Sequence, residues 1–169
     1  MKNKIFALVG PSQSGKSTLI IRVIRELPHQ LDIIKSATTR EKRHTDDDIF
    51  YYFLSKERFL FKKERGDFAE TIMYDGEYYG FEHSTIKTVL DRKCGITTIT
   101  EHGVLQLKQL EYPIVPVKIR PEKNINSNSE KQVLEDAERA KQSIRYGIEI
   151  INRFTPGGRE EAIKSITAF

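Results

Sequence analysis

Residues 10–18 read GPSQSGKST and follow directly after a short apolar run, IFALV, at residues 5–9. The pattern G-x-x-x-x-G-K-[ST], placed between a buried strand and a helix, is typical of a loop whose backbone N–H groups surround a phosphate chain. Apolar residues recur at helical spacing from Leu19 to Leu27, which predicts that helix. The sequence therefore predicts a site for the phosphates of a nucleoside polyphosphate.

Each position of this loop has an expected chemical role. Gly10 and Gly15 let the backbone approach the phosphates and adopt conformations that a side chain would forbid. The Lys16 ammonium is expected to contact the β- and γ-phosphates, as a catalytic residue, and the Ser17 hydroxyl is expected to bind Mg²⁺. The other expected contacts with ATP come from Ser12, Ser14 and Thr18. The expected cofactors are therefore ATP and Mg²⁺.

The composition is that of a globular protein with one domain. The chain has 169 residues, of which 38% are hydrophobic and 31% are charged, and it contains a single cysteine, Cys94. One cysteine excludes an internal disulfide and fits a reducing compartment, and no apolar stretch approaches the roughly 18 residues that a membrane-spanning helix needs. The net charge of +4 comes from basic residues scattered among acidic ones, which favours anionic small molecules over nucleic acid. We expect a cytoplasmic monomer or homodimer with nucleotide substrates and no membrane partner.

Strand and helix patterns alternate along the chain, which predicts an α/β fold with a parallel sheet. Strand patterns cover residues 31–34, 49–53, 68–73, 96–100, 114–119 and 148–151. Helix patterns cover residues 55–66, 83–90, 104–110, 129–145 and 159–169. Residues 36–40 are expected as a connection that leaves the strand at 31–34, and turns are expected at 75–76 and 156–158.

Polar residues between positions 34 and 82 form a second candidate site. Its members are Ser36, Arg40, Arg43, Tyr51, Glu70 and Tyr79. The two guanidinium groups can each bind phosphate oxygens in a planar bidentate manner, and the two phenols can donate to the remaining oxygens. The Glu70 carboxylate would accept from the N1–H and the 2-amino group of guanine, whereas adenine presents an unprotonated N1 at that edge. The set predicts a nucleoside monophosphate site that favours guanine over adenine.

Three segments of the chain resemble the guanylate kinase family. Residues 10–18 resemble the family's G-P-S-x-S-G-K-S-T loop. Residues 36–43 read SATTREKR and resemble its S-x-T-T-R-x-x-R segment, and residues 77–80 read EYYG and resemble its N-Y-Y-G turn. The resemblance implies a P-loop NTPase-type α/β fold, in which helices flank a parallel sheet. It also implies one domain, residues 1–169, composed of a core (1–33, 83–119 and 141–169), an inserted monophosphate-binding subdomain (34–82) and a lid (120–140).

An activity and residue roles follow from the same resemblance. The family transfers the γ-phosphoryl group of ATP to the phosphate of GMP or dGMP. By position, Ser36 and Glu70 would bind the guanine. The monophosphate would be held by Arg40, which is also a catalytic residue, and by Arg43, Tyr51 and Tyr79. Asn152 would lie near the adenine of ATP.

The chain departs from the family pattern in three places. Where the family has Asp-x-Asp-x-Gln-Gly, residues 98–103 read TITEHG, so Thr100 replaces a substrate-binding aspartate. We expect Mg²⁺ to rest on Ser17 and the phosphates, with Glu101 as a candidate substitute carboxylate. Phe81 replaces a Ser or Thr at the base edge. The lid lacks the usual arginine-glycine pattern, and Arg139 is the expected catalytic arginine of that segment.

Two alternatives to GMP phosphorylation remain open at this point. Phe81 and Thr100 are compatible with a kinase for another phosphorylated acceptor, such as a modified nucleotide or a sugar phosphate. A module that binds phosphorylated proteins through Arg40 and Arg43 is the other alternative, although scaffold relatives typically have a damaged phosphate loop and this loop is intact.

Overall fold

The computed structural model describes residues 2–121, 144–152 and 156–168. Within these ranges the strands are β1 (Ile5–Val9), β2 (Leu31–Ile33), β3 (Ser36–Thr38), β4 (Tyr51–Phe53), β5 (Phe68–Tyr74), β6 (Glu77–Glu82), β7 (Cys94–Thr98), β8 (Ile114–Pro121) and β9 (Ile148–Asn152). The helices are α1 (Lys16–Glu26), α2 (Asp47–Phe50), α3 (Lys56–Glu64), α4 (His83–Leu90), α5 (Glu101–Gln109) and α6 (Pro156–Thr167).

The larger sheet has five strands in the order β2-β7-β1-β8-β9, and every neighbouring pair is parallel. All five residues of β1 are buried, because helices cover both faces of the sheet. Phe6 and Leu8 pack with apolar residues of α1 and α6, whereas Ile5 and Ala7 face the side of α4 and α5. The predicted α/β class with a parallel sheet is confirmed.

A second sheet is formed entirely by residues between β2 and α4. Its order is β4-β3-β6-β5; β3 is parallel to β4 and antiparallel to β6. Residues 36–38, expected as a connection, are the strand β3, because β4 and β6 complete its hydrogen bonds on both sides. The strand predicted at 49–53 is shorter than expected, because Ile49 and Phe50 belong to α2. The first turn of this helix carries Asp47 and Asp48, and acidic residues stabilise a helix N-terminus.

Two local predictions in this segment are confirmed. Asp75 and Gly76 connect β5 to β6 with φ values of 52° and 77°, the left-handed pair that a tight hairpin turn requires. Ser55 caps α3, and its hydroxyl accepts the backbone N–H of Arg58 at 3.2 Å.

The last part of the chain differs from prediction. Residues 156–158, expected as a turn, form the first turn of α6, where proline is tolerated because its missing N–H would have no partner there. Ile144 and Arg145, expected to end a long helix, have no regular structure, and the rest of that helix lies outside the described residues. Among the helices the structure describes, none combines the length and apolar character needed to cross a bilayer.

Candidate active site

The phosphate loop connects the central strand to α1 with a backbone that only glycine allows at two points. A Cβ on Gly10 would lie 2.4 Å from the Ile119 carbonyl oxygen of β8, a distance that a real side chain does not reach. Gly15 precedes α1 with a φ of 81°. The first glycine therefore lets β8 pass close to the loop, and the second turns the chain into the helix.

Lys16, the first residue of α1, folds its side chain back into this loop. Its ammonium donates to the carbonyl oxygens of Gly10 at 2.8 Å and Pro11 at 2.5 Å, and to the Ser14 hydroxyl at 3.2 Å. Burial lowers the pKa of Lys16 to about 8. A phosphate chain in the loop would favour the charged form, because it places negative charge beside the ammonium.

The remaining predicted ATP contacts differ in exposure. Ser14 is fully buried, whereas the side chains of Ser12, Ser17 and Thr18 are exposed. Ser17 follows Lys16 in the first turn of α1, so its hydroxyl is open to a hard cation and its phosphate ligands. Asn152 is the last residue of β9 and pairs with Pro121. Arg139, the predicted lid arginine, lies outside the described residues.

In the second sheet, Arg40 forms a compact cluster with two tyrosines. Its guanidinium lies over the Tyr51 ring at 5.1 Å, and the Tyr51 and Tyr79 rings meet edge to face with centroids 6.1 Å apart. Arg40 is only 9% exposed, while the Arg43 side chain is exposed. The structure therefore groups three of the four predicted phosphate ligands, with Arg43 at the surface beside them.

Asp47 is a residue of this cluster that sequence reasoning missed. Its Oδ2 accepts from Nη2 of Arg40 at 3.1 Å and from the backbone N–H groups of Arg43 at 2.9 Å and His44 at 3.3 Å. Burial alone would raise the pKa of Asp47, but these donors outweigh it and hold the pKa below its usual range. The signal in the sequence was the acidic run at 46–48, which starts three residues after Arg43.

We expect Asp47→Asn to weaken monophosphate binding. The substitution removes the charged partner of a nearly buried guanidinium, so Arg40 loses its fixed orientation and the KM for the monophosphate rises about tenfold, equivalent to about 1.4 kcal/mol. Asp48→Asn is the matched control, because the ion pair of Asp48 with Lys42 is exposed. Steady-state kinetics of both variants test this, and equal KM values for Asp47→Asn and Asp48→Asn would contradict it.

Glu70 is a buried carboxylate on β5 with no hydrogen-bond donor among the residues that the structure describes. It is 4% exposed, and burial raises its pKa to about 7. Its Oε1 lies against the first turn of α5, 2.9 Å from where a Cβ of Gly103 would be. That turn follows β7, which pairs with β1 through Thr98 and Leu8 just before the phosphate loop. Glu70 and the loop therefore lie at the same edge of the parallel sheet.

Ser36 and Phe81 lie on β3 and β6 of the second sheet, and β6 is the strand next to the one that carries Glu70. The Ser36 hydroxyl is buried and donates to the Gly80 carbonyl oxygen at 3.2 Å. Phe81 is the direct cross-strand neighbour of Glu70. Its ring is buried in an apolar cluster with residues of β1 and α4. The aromatic replacement at position 81 thus extends the core beneath the carboxylate.

The segment that departs from the family pattern also has defined contacts. The Thr100 hydroxyl accepts the backbone N–H of Gly103 at 3.1 Å and caps α5, so this helix begins at Glu101, three residues before its predicted start. Oε1 of the buried Glu101 accepts from the Tyr146 hydroxyl at 2.5 Å. Burial, and then this hydrogen bond, raise the pKa of Tyr146. Glu101 therefore joins α5 to the residues before β9, a role that the sequence did not indicate.

Comparison with known proteins identifies the family. The family model described as guanylate kinase matches residues 2–153. The chain belongs to the guanylate kinase family. The guanylate kinase of Thermotoga maritima is 32% identical over 123 residues, which cover 72% of this chain and 59% of the relative. The guanylate kinase of Methylobacillus flagellatus is 28% identical over 171 residues, covering 100% of this chain and 79% of the relative.

Structural comparison gives the same fold. The crystal structure of guanylate kinase from Anaplasma phagocytophilum superimposes with a TM-score of 0.69 at 21% sequence identity, covering 98% of this chain and 85% of that one. The P-loop NTPase-type fold expected from the resemblance is thereby confirmed. The matched segment spans less than two thirds of some relatives, 59% for Thermotoga maritima and 57% for the guanylate kinase of Chlamydia felis.

Proposed function

We propose that this chain transfers the γ-phosphoryl group of ATP to the phosphate of GMP or dGMP and releases ADP and the nucleoside diphosphate. The observation that carries the proposal is the buried Glu70 carboxylate, which lies at the same sheet edge as an intact phosphate loop. Membership of the guanylate kinase family supports the same reaction.

Catalysis would consist of alignment and charge neutralisation. The acceptor phosphate is already anionic, so no protein base has to remove a proton from it. Lys16 would neutralise charge on the β- and γ-phosphates, and Arg40, with Tyr51 and Tyr79, would hold the acceptor phosphate in line. The exposed Ser17 hydroxyl and the phosphate oxygens are suitable ligands for Mg²⁺, which supplies further positive charge at the transferred group.

Glu70 would select the base. Its ionised carboxylate can accept hydrogen bonds from both the N1–H and the 2-amino group of guanine. The base would thus supply the donors that the described residues of the protein do not provide. Adenine would place its unprotonated N1 against the carboxylate lone pairs, leaving buried polar groups unpaired. A site of this kind favours the matching base over the other by about 10⁴-fold or more in kcat/KM.

The remaining assignments belong to the same proposal. The second sheet would be the monophosphate-binding subdomain, within residues 34–82. The lid predicted for residues 120–140, with its catalytic Arg139, falls almost entirely outside the described residues. Arg43 would complete the phosphate site, and Asn152 would contact the adenine of ATP. The protein would act in the cytoplasm as a monomer or homodimer on small nucleotides.

The proposal is tested by ADP formation with a panel of phosphorylated acceptors. We expect GMP and dGMP to stimulate ADP release far above the rate with ATP alone, and AMP to leave that rate unchanged. No stimulation by any purine monophosphate would overturn the proposal. Stimulation by a sugar phosphate, together with absent GMP binding in calorimetry, would favour the alternative acceptor class.

A further inference from the structure

Gly103 is a helical residue whose backbone does not require glycine. It lies in the first turn of α5, and it is absent from the glycines with positive φ, which in the described chain are Gly15, Gly66 and Gly76. Glycine destabilises a helix by about 1 kcal/mol relative to alanine. A reason other than backbone conformation therefore accounts for glycine at this position.

The space around Gly103 supplies that reason. A Cβ at this position would lie 2.9 Å from Oε1 of Glu70, and 2.6 and 2.8 Å from Cγ1 and Cδ1 of Ile99. Both the Ile99 side chain and the Glu70 carboxylate would therefore have to shift, and the carboxylate is buried against the first turn of α5. The missing side chain of Gly103 makes room for the ends of both side chains.

Thr100 determines where Gly103 lies. Its hydroxyl accepts the Gly103 backbone N–H at 3.1 Å, and its backbone carbonyl oxygen accepts the N–H of Val104 at 3.0 Å. These two bonds fix the first turn of α5, a helix that contacts β5. Thr100 thus acts on Glu70 through Gly103, although its own hydroxyl is already used as a helix cap.

We infer that Thr100 and Gly103 are positioning residues that set the preference for guanine by holding the Glu70 carboxylate in place. The inference rests on the proposed function, because it assigns these residues to the base-binding part of that site. Neither residue has to touch the transferred phosphoryl group. Their substitution therefore changes base recognition more than the rate of the chemical step.

Inosine monophosphate provides a sensitive readout of the Glu70 position. IMP has the N1–H of GMP but lacks the 2-amino group, so it can donate only one of the two hydrogen bonds to the carboxylate. A displaced carboxylate loses the second bond with GMP, whereas IMP never forms it. The ratio of kcat/KM for GMP to that for IMP therefore falls when Glu70 is misplaced and is unaffected by a loss of stability alone.

The experiment compares Thr100→Ala, Thr100→Ser and Gly103→Ala with the unmodified chain. We expect Thr100→Ala and Gly103→Ala to raise the KM for GMP about tenfold or more, to change kcat by less than about threefold and to lower the GMP/IMP ratio. Thr100→Ser keeps the hydroxyl and should restore the original values. Ser55→Ala is the matched control, because it removes the equivalent cap of α3.

Each outcome bears on a different statement. A KM and GMP/IMP ratio for Thr100→Ala within twofold of those of Ser55→Ala would overturn the inference, even if GMP phosphorylation is established. If Gly103→Ala does not fold, the Thr100→Ala and Thr100→Ser pair still tests it. If the unmodified chain binds GMP without turnover, calorimetric Kd values for GMP and IMP replace KM, and absent GMP binding overturns both proposals.

Discussion

Lys16→Ala is expected to lower kcat by about 10³-fold or more while the fold remains intact. The Lys16 ammonium is the positive charge that the phosphate loop presents to the β- and γ-phosphates, and fixed donors of this kind contribute most as charge develops in the transition state. The loss of three hydrogen bonds within the loop is partly offset, because a buried charge is removed at the same time. We therefore expect a change in the free energy of unfolding of about 1 kcal/mol.

Lys87→Ala is the control for charge alone. Lys87 lies on α4 and its ion pair with Asp91 is exposed, so its replacement should leave kcat within about twofold. Kinetics and thermal unfolding of both variants test the prediction. Retention of more than a tenth of the original kcat by Lys16→Ala would contradict the role of Lys16. GMP binding should persist in Lys16→Ala, because the second sheet is separate from the loop in the chain.

Glu70→Gln is expected to lower kcat/KM for GMP by about 10²- to 10³-fold. The replacement amide can accept one hydrogen bond from guanine through its oxygen. Its NH₂ group, however, faces the other guanine donor, so two N–H groups point at each other in a buried site and neither has an acceptor. Any slow activity with AMP should not fall, because adenine does not use the carboxylate as an acceptor at N1. Steady-state kinetics with both monophosphates measure the effect. Glu64→Gln is the control, since Glu64 is an exposed glutamate on α3.

The pH dependence of GMP phosphorylation should report the Glu70 carboxyl. Guanine binding requires the ionised form, and the pKa of Glu70 is about 7, so kcat/KM for GMP should fall about tenfold per pH unit below that value. Because the pKa of Lys16 is about 8, kcat/KM for ATP should fall above that pH. Glu70→Gln should remove the acidic limb for GMP and keep the basic limb for ATP. An unchanged acidic limb would contradict the assignment.

The same carboxyl should make stability depend on pH in a defined direction. Between 4.5 and about 7 the folded chain keeps a proton on Glu70 that the unfolded chain has released, so stability falls as the pH rises through this window. The interval corresponds to about 3 kcal/mol. The difference in free energy of unfolding between Glu70→Gln and the unmodified chain should therefore shift by about this amount in favour of the variant. Urea titrations at pH 5 and pH 8 measure this difference, with Glu64→Gln as the control. If the difference between Glu70→Gln and the unmodified chain changes no more between the two pH values than it does for Glu64→Gln, the prediction is wrong.

Local sequence patterns were sufficient for most elements of the core. The apolar run at 5–9 forms a buried central strand because helices cover both faces of a parallel sheet. The hairpin at 75–76 requires left-handed backbone at two adjacent residues, and Asp-Gly is suited to it. The turn predicted at 156–158 was wrong, because glycines next to a proline also fit a first helical turn.

The candidate site was less predictable wherever a contact joins distant segments. The ion pair of Arg40 with Asp47 depends on a loop that folds back, and the acidic run at 46–48 indicates a candidate partner without determining which carboxylate reaches Arg40. The bond from Tyr146 to Glu101 joins residues 45 positions apart. Thr100 was predicted to bind substrate by its place in a motif, and the structure adds a contact that the motif does not reveal, because its hydroxyl also caps α5. In each case the hydrogen-bond partner is the donor that the tertiary structure brings close to the acceptor.

The sequence by itself determined the phosphate loop, the order of the strands in the larger sheet with the helices between them that the structure describes, and the residue types of both anion sites, because each follows from neighbouring residues and their periodicity. Only the tertiary structure decided that Glu70 is buried against Gly103 and shares a sheet edge with the loop. Burial of that carboxylate requires β5, β6 and α5 to pack together, and the resulting loss of water raises its pKa. A chain can encode a glutamate locally, but its desolvation depends on residues far away in the sequence.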